Sequence, residues 1–184
     1  MIAEHFKAHE AVVQASAREL ARESEAAGKA LVAALRAGHK VLTFGNGGSA
    51  TQASHFAGEL IGRFLKTRRP LPALALVSDP GSITCIANDF GYEAVFERQV
   101  AALALTGDVA VGLSTSGKST NVCRALAAAR ARGAVTVALT GSAGLVGATA
   151  DHVLRVPSNV TAHIQEVHLM LIHAWCVAID EAFD

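Results

Sequence analysis

The chain has 184 residues, which is enough for one domain with a sizeable core. Hydrophobic residues make up 51% of it, so we expect the chain to fold rather than remain disordered. Lysine plus arginine equals aspartate plus glutamate at 16 each, and this balance argues against a broad surface for nucleic acids or anionic membranes.

Residues 2–37 predict a helical arm at the amino terminus. They contain no proline and one glycine, Gly28, near which we expect a break. Their apolar residues recur at spacings of three or four, or the sum of the two, as from Ile2 to Phe6 and from Val13 to Ala17. The first residues carry acids and histidines among apolar residues, which is not the pattern of a secretory signal.

Short apolar runs alternate with helical patterns over residues 38–184, the predicted core of a single domain spanning 1–184. The predicted strands are 41–45, 73–77, 109–114, 135–140 and 152–156, and the predicted helices between them are 49–65, 82–103, 119–132 and a short one at 143–149. This alternation predicts an α/β fold, a three-layer sandwich with a parallel five-stranded sheet covered on both faces.

A last helix is predicted from about 161 to 183. Its run LMLIHAWCVAI is apolar nearly all round, so we expect it to be buried, in part against another subunit. No apolar run is expected to be long enough to span a bilayer. The three cysteines are widely spaced and form no CxxC pair, which favours a reducing compartment, and we expect a cytoplasmic protein.

Two loops rich in small polar residues follow predicted strands, and each opens a predicted helix. They are GNGGS at 45–49 and STSGKS at 114–119. The free backbone N–H groups and the positive dipole end of a helix favour an anion, and serine and threonine hydroxyls add donors. The simpler interpretation is that Ser119 only caps a helix and the other residues only form turns.

The stretch GLSTSGKS at 112–119 also fits the nucleotide phosphate-loop pattern G-x-x-x-x-G-K-[ST]. A nucleotide hydrolase of that class needs a later strand ending in aspartate to help hold magnesium. The later strands end at Thr140 and Val156, and the apolar run that ends in Asp79 precedes the loop. We therefore expect the loop to bind the phosphate of a small metabolite.

Imidazole and carboxylate groups occur on two predicted helices. His55 and Glu59 are four residues apart after GNGGS, and the last helix carries a second group: Gln165, Glu166, His168 and His173. Such groups suit a zinc-like ion or acid–base chemistry near neutral pH. The simpler alternative is a surface pair for His55 and Glu59 and a buried core histidine at His173.

Four motifs in this order resemble the phosphoheptose isomerases of the SIS-domain superfamily: GNGGSATQASHFAGEL (45–60), NDFG (88–91), STSGKS and IQEVHLMLIH (164–173). The resemblance covers nearly the whole chain. It implies a flavodoxin-like core, with the terminal helices building a homotetramer whose active sites lie at subunit interfaces. It also implies one zinc per active site and conversion of D-sedoheptulose 7-phosphate to D-glycero-D-manno-heptose 7-phosphate, a first step towards lipopolysaccharide heptose.

The resemblance also implies residue roles. Sugar-phosphate contacts are implied for Asn46, Gly47, Gly48, Glu59, Asn88, Asp89, Ser114, Thr115, Ser116, Ser119 and Gln165. Metal contacts are implied for His55, Glu59, Gln165 and His173. The chain departs from the family at Gly58, where a second acid is expected, and at Lys118, where asparagine is common.

An aldose–ketose interconversion moves a proton between neighbouring carbons through an enediol. We assign Glu59 as the base that shuttles this proton and His173 as the acid at the oxygens. A carboxylate bound to zinc is a poorer base, so Glu59 is expected to be a ligand in one state and a base in another. The alternative is a non-catalytic SIS-domain protein that binds the bacterial replication initiator, a branch that lacks this acid and histidine.

Overall fold

The computed structural model describes residues 1–184, which form five strands and seven α-helices. The strands are Val41–Gly45 (β1), Ala73–Ala75 (β2), Val109–Ser114 (β3), Val135–Thr140 (β4) and His152–Arg155 (β5). The helices are Ile2–Glu19 (α1), Ala21–Arg36 (α2), Gly48–Ile61 (α3), Pro80–Phe90 (α4), Val95–Leu103 (α5), Thr120–Ala131 (α6) and Thr161–Ala182 (α7).

All strand pairs are parallel, and the strand order is β2-β1-β3-β4-β5. β1 and β3 are buried along their whole length, as expected for strands covered on both faces. Successive side chains point to opposite faces, so Val41 packs with α2, α3 and α7 while Leu42 packs with α5 and α6. The predicted α/β three-layer sandwich is therefore confirmed.

The structure corrects the predicted helix at 143–149, which consists of turns instead. Gly144 and Gly147 have φ angles of +68° and +73°, a conformation that a right-handed helix does not contain. The predicted helix at 82–103 is divided into α4 and α5, because Gly91 has a φ of +86° and a 3₁₀ turn follows at Tyr92–Ala94.

The break in the amino-terminal arm lies at Leu20, between α1 and α2, and not near Gly28. Gly28 instead lies inside α2, where Trp175 packs against it. A Cβ at this position would be 3.1 Å from Cδ1 of Trp175. The glycine therefore permits close packing of α2 on α7.

Helix α7 corrects the expectation about membrane-spanning length. An 18-residue window of this helix has a mean hydropathy of 1.2, so by length and composition alone it could cross a membrane. Core helices of globular proteins pass the same test, and 44% of the window is buried inside the molecule. Ile172, Trp175 and Ile179 pack with α2 and α3 in the larger of the two main core clusters.

Candidate active site

The carboxyl ends of β1 and β3 lie side by side at the centre of the sheet, where Gly45 pairs with Leu113. The strand order reverses at this point, because β1 continues to β2 on one side and β3 continues to β4 on the other. Ligands of open α/β sheets bind in the crevice at such a reversal. The loops GNGGS and STSGKS leave these two strands and therefore border the same crevice.

A pair of asparagines ties the two loops together. The side-chain amide of Asn46 donates to Oδ1 of Asn121 at 2.9 Å, and the amide of Asn121 donates back to Oδ1 of Asn46 at 2.9 Å. The Tyr92 hydroxyl donates to the same Oδ1 of Asn46 at 3.0 Å. Asn121 and Tyr92 were not predicted as site residues, although each lies within two residues of the STSGKS or NDFG motif.

The STSGKS loop is held by its own hydroxyls and by one obligatory glycine. The Ser114 hydroxyl donates to the Ser119 hydroxyl at 2.9 Å, and the Ser116 hydroxyl accepts from the backbone N–H of Lys118 at 3.2 Å. Gly117 has a φ of +66°, and a Cβ there would lie 1.7 Å from the carbonyl oxygen of Gly144. Ser119 occupies the N-cap position of α6, but its side chain makes no capping hydrogen bond.

The structure brings His55, Glu59 and His173 together. Nε2 of His55 lies 3.2 Å from Oε1 of Glu59 and 3.0 Å from Nε2 of His173. One ligand atom from each of the three lies within 4.8 Å of the others. Phe64 stacks on the imidazole of His173, with ring centroids 5.3 Å apart. Two imidazoles and a carboxylate in this arrangement match the donor set of a catalytic zinc site.

Gln165 lies at a different point of the interface between α3 and α7. Its side-chain amide covers Gly48 so closely that a Cβ there would be 2.6 Å from Nε2 of Gln165. The Gln52 side chain donates to the Gln165 carbonyl oxygen at 2.6 Å. Gly48 precedes His55 by seven residues, or about 10 Å of helix axis. Gln165 thus faces the start of α3, while His55 and His173 meet two turns further on.

Asn88 and Asp89 lie near the carboxyl end of α4 and are exposed. The Asn88 side-chain amide donates to Oδ1 of Asp89 at 2.7 Å. Neither side chain of this pair hydrogen-bonds to the two loops. The connection is Tyr92, which follows the pair in the sequence and hydrogen-bonds to Asn46.

Two other groups on α7 have shifted pKa values. Burial lowers the pKa of His168 to about 4, so its ring stays neutral, and its Nε2 lies 3.2 Å from the Thr140 carbonyl oxygen. Burial, assisted by the charges of Glu59 and Asp180, raises the pKa of the Cys176 thiol to about 12. Neither group is therefore suited to acid–base work at neutral pH.

A buried ion pair joins the carboxyl end of α3 to α7. Nε of Arg68 lies 2.9 Å from Oδ1 of Asp180, and both side chains are almost fully buried. The Arg68 guanidinium also donates to the carbonyl oxygens of Glu59 at 2.7 Å and Leu60 at 2.9 Å. It thereby satisfies carbonyls that the end of a helix leaves without partners.

The Asp180 carboxylate is held ionised by its surroundings. Burial alone would raise its pKa, but hydrogen bonds from the backbone N–H groups of Lys66 and Leu65 and from Arg68 outweigh burial and lower the pKa. The Asp180 carboxylate therefore remains ionised near neutral pH. The pair with Arg68, which was not predicted from the sequence, fixes the segment carrying Glu59.

The SIS domain family matches residues 4–141 of the chain. A phosphoheptose isomerase of Geobacter metallireducens is 49% identical over 177 residues, which cover 96% of this chain and 94% of that relative. The chain belongs to the phosphoheptose isomerase family of SIS-domain proteins.

Two solved structures of this family resemble the fold closely. A phosphoheptose isomerase of Francisella tularensis matches with a TM-score of 0.93 and 37% identity, covering 98% of this chain and 96% of that chain. The enzyme of Neisseria gonorrhoeae matches with a TM-score of 0.88 and 41% identity, covering 98% and 97%. The resemblance inferred from the four motifs is confirmed, and the non-catalytic alternative is not favoured.

We predict that breaking the buried pair destabilises the protein strongly. Asp180→Leu leaves the Arg68 charge buried and unpaired, which should lower the free energy of unfolding by about 3–5 kcal/mol. The double variant Arg68→Met/Asp180→Leu should recover part of this loss, though not all, because backbone donors of Leu65 and Lys66 lose their acceptor. Urea unfolding at pH 7 measures both.

The matched control is Asp184→Leu. Asp184 pairs with Lys66 at 2.6 Å, but this pair is exposed, so its removal should change stability little. An Asp180→Leu variant as stable as this control would contradict the role assigned to the buried pair.

Proposed function

We propose that the chain converts D-sedoheptulose 7-phosphate to D-glycero-D-manno-heptose 7-phosphate in the cytoplasm, as the first step of bacterial heptose synthesis for lipopolysaccharide. The observation that carries this proposal is the layout of α3. The helix begins at the crevice where GNGGS meets STSGKS and carries His55 and Glu59 two to three turns later. This separation suits a sugar phosphate whose phosphate and reacting carbons lie at opposite ends.

Eleven residues are proposed to contact this substrate. They are Asn46, Gly47, Gly48, Glu59, Asn88, Asp89, Ser114, Thr115, Ser116, Ser119 and Gln165. The backbone N–H groups at the start of α6 and the loop hydroxyls would hold the phosphate. The exposed positions of Asn88 and Asp89 suit contacts with a ligand entering from solvent.

Glu59 and His173 are proposed as the proton-transfer pair. Glu59 would take a proton from one carbon and return it to the neighbouring carbon, while His173 would donate to the oxygens that gain charge. The two groups meet around His55 in the structure, within reach of one small substrate carbon chain. The stacking of Phe64 on His173 would fix the orientation of this ring.

The proposed cofactor is one zinc ion per active site. The clustered atoms of His55, Glu59 and His173 fit such an ion in donor type and proximity, and Gln165 is the proposed fourth ligand. When bound, the ion would supply Lewis-acid polarisation of the sugar carbonyl. A carboxylate cannot be a tight ligand and a strong base at once, so Glu59 is expected to alternate between the two roles.

Gln165 is eight residues from His173 on α7, about 12 Å along the axis. Within one chain, the side chain of Gln165 lies against Gly48 and not near His55 and His173. We therefore propose that Gln165 serves the active site of a neighbouring subunit in a homotetramer. Exposed apolar side chains on the two terminal helices support such an assembly, among them Phe6 at 69% and Met170 at 47% exposure. In this proposal, residues 1–184 form a single SIS domain with residues 1–37 as its oligomerising arm.

We predict that the protein isomerises sedoheptulose 7-phosphate without ATP. Detection of the aldose product measures this activity. Ser116→Ala should raise KM by removing a phosphate donor. Lys118→Asn should leave turnover largely intact, because a sugar-phosphate loop does not need the lysine of a nucleotide loop. ATP hydrolysis that disappears in Lys118→Asn would favour the nucleotide-binding alternative instead.

We predict that Glu59→Gln and His173→Gln each lower kcat by on the order of 10²-fold or more, the usual scale for a positioned proton-transfer group. The fold should survive, because both changes nearly keep side-chain shape. Bound zinc is measured in each variant, so that loss of metal is separated from loss of proton transfer. Full turnover in either variant removes that residue from the mechanism.

We predict that inactive Gln165→Ala and inactive His173→Ala subunits regain activity when mixed. If the two residues serve one site from different chains, some mixed sites receive both wild-type groups. Native mass spectrometry confirms that mixed oligomers have formed. Mixed oligomers without activity would mean that both residues act from the same chain.

A further inference from the structure

A second cluster of histidine and carboxylate side chains lies where α1 passes the amino end of α7. His5 and His9 are four residues apart on α1, and His163 and Glu166 are three residues apart on α7, so each pair shares one helix face. None of these four residues has a role in the proposed isomerisation.

The three imidazoles lie around the carboxylate of Glu166. Oε1 of Glu166 lies 3.0 Å from Nε2 of His5, and Oε2 of Glu166 lies 3.0 Å from Nδ1 of His9. The His163 ring lies 4.8 Å from the His5 ring and 5.5 Å from the His9 ring, measured between centroids. Single ligand atoms of His5, His163 and Glu166 all lie within 4.8 Å of one another.

Two buried polar atoms of this cluster have no hydrogen-bond partner. They are Nδ1 of His9 and Oε2 of Glu166, which are close together but not aligned for a hydrogen bond. The His163 side chain beside them is also buried, at 6% exposure. Buried polar atoms without partners are costly, and a cation between them would satisfy both.

The cluster is separate from the proposed active site. Glu166 and His173 are seven residues apart on α7, about 10 Å along the axis. The neighbouring side chain of Gln165 covers Gly48, whereas the Glu166 carboxylate faces His5 and His9. An ion bound here would therefore not be the one proposed for catalysis.

We propose that His5, His9, His163 and Glu166 form a second metal site, which binds a divalent transition ion such as Zn²⁺ and fastens α1 to α7. Three imidazoles and one carboxylate give the four ligands of a closed, structural zinc site. Ligands around a tetrahedral zinc are about 3.3 Å apart, given metal–ligand bonds of about 2.0–2.1 Å. Nε2 of His5 and Nδ1 of His9 each lie 3.0 Å from an oxygen of Glu166, close to that spacing.

Within one chain α1 has few buried contacts, and a metal ion at this site would add one. Ser16 is the one buried residue of this helix, and it lies in the last turn. Partly buried Val12 and Val13 pack on a small cluster with Leu20 and Val167. Residues 2–9, which include His5 and His9, contain no buried apolar side chain. A metal ion bound by His5 and His9 would hold this part of α1 against α7.

The test is zinc binding to the full-length, metal-stripped protein, measured by native mass spectrometry and by competition with a chromogenic chelator. The His55→Gln/His173→Gln variant, which lacks the proposed catalytic ligands, should still bind one Zn²⁺ per chain. Adding His5→Gln and His9→Gln should abolish this binding. Co²⁺ should give the intense visible bands of a tetrahedral site in the first variant and not in the second.

The matched control is His152→Gln. His152 pairs with Glu23 at 2.8 Å, like the histidines of the cluster, but it belongs to neither group of clustered ligands. This change should leave zinc stoichiometry unaltered. Circular dichroism checks that the fold is kept in every variant.

Hydrogen exchange of the α1 amides provides a second readout that does not depend on activity. At free Zn²⁺ about ten times its Kd, exchange of the α1 amides in the His55→Gln/His173→Gln variant should slow about tenfold, because bound zinc stabilises the closed state of α1. The further His5→Gln/His9→Gln changes should remove this protection. Equal zinc binding with and without His5 and His9, or α1 exchange that zinc does not alter, would overturn the proposal.

Discussion

The buried contact of Arg68 with Asp180 determines how the end of α3 meets α7. Arg68 binds the carboxylate with one nitrogen and the final carbonyls of α3 with two others, so one side chain fixes both helices. Asp180 follows His173 by two turns and therefore lies on the same side of α7. Such a pair contributes little net stability compared with apolar packing, but it allows few arrangements. Here it holds the segment of Glu59 opposite His173.

The sheet constrains the other end of the site. The strand order reverses between β1 and β3, and the two polar loops meet at the carboxyl ends of these strands. The reciprocal bonds of Asn46 and Asn121 then set the spacing between the loops. Helix α3 connects this crevice to the histidine cluster. Its length therefore sets the distance between the proposed phosphate site and the proposed proton-transfer groups. Gly48 keeps the connection tight, since any side chain there would displace Gln165.

The sequence predicts those parts of the fold whose pattern is local. β1, β3 and β4 are mostly apolar runs, and His55 and Glu59 are recognisable because four-residue spacing places them on one helix face. The buried ion pair joins residues 112 positions apart, and no local pattern marks such a contact. The error at 143–149 has a different cause: its small and apolar residues fit a helix, whereas the backbone angles of Gly144 and Gly147 exclude one. The asparagine bridge was missed because amide side chains at helix starts usually serve as simple caps.

The apolar composition of helix α7 does not by itself indicate whether the helix lies in a protein core or in a membrane. The helix contacts a different element at each stage: α1 through Glu166, the start of α3 through Gln165, the histidine cluster through His173 and the end of α3 through Asp180. Glu166, His173 and Asp180 pair with groups of α1, α3 and the segment after α3, so the positions between them are free to be apolar. A helix in a bilayer would have to leave these groups unpaired or pair them with neighbouring helices. Apolar side chains of α7 that pack inside the chain, such as Ile172 and Ile179, account for part of its hydropathy, and both histidine clusters include residues of this helix.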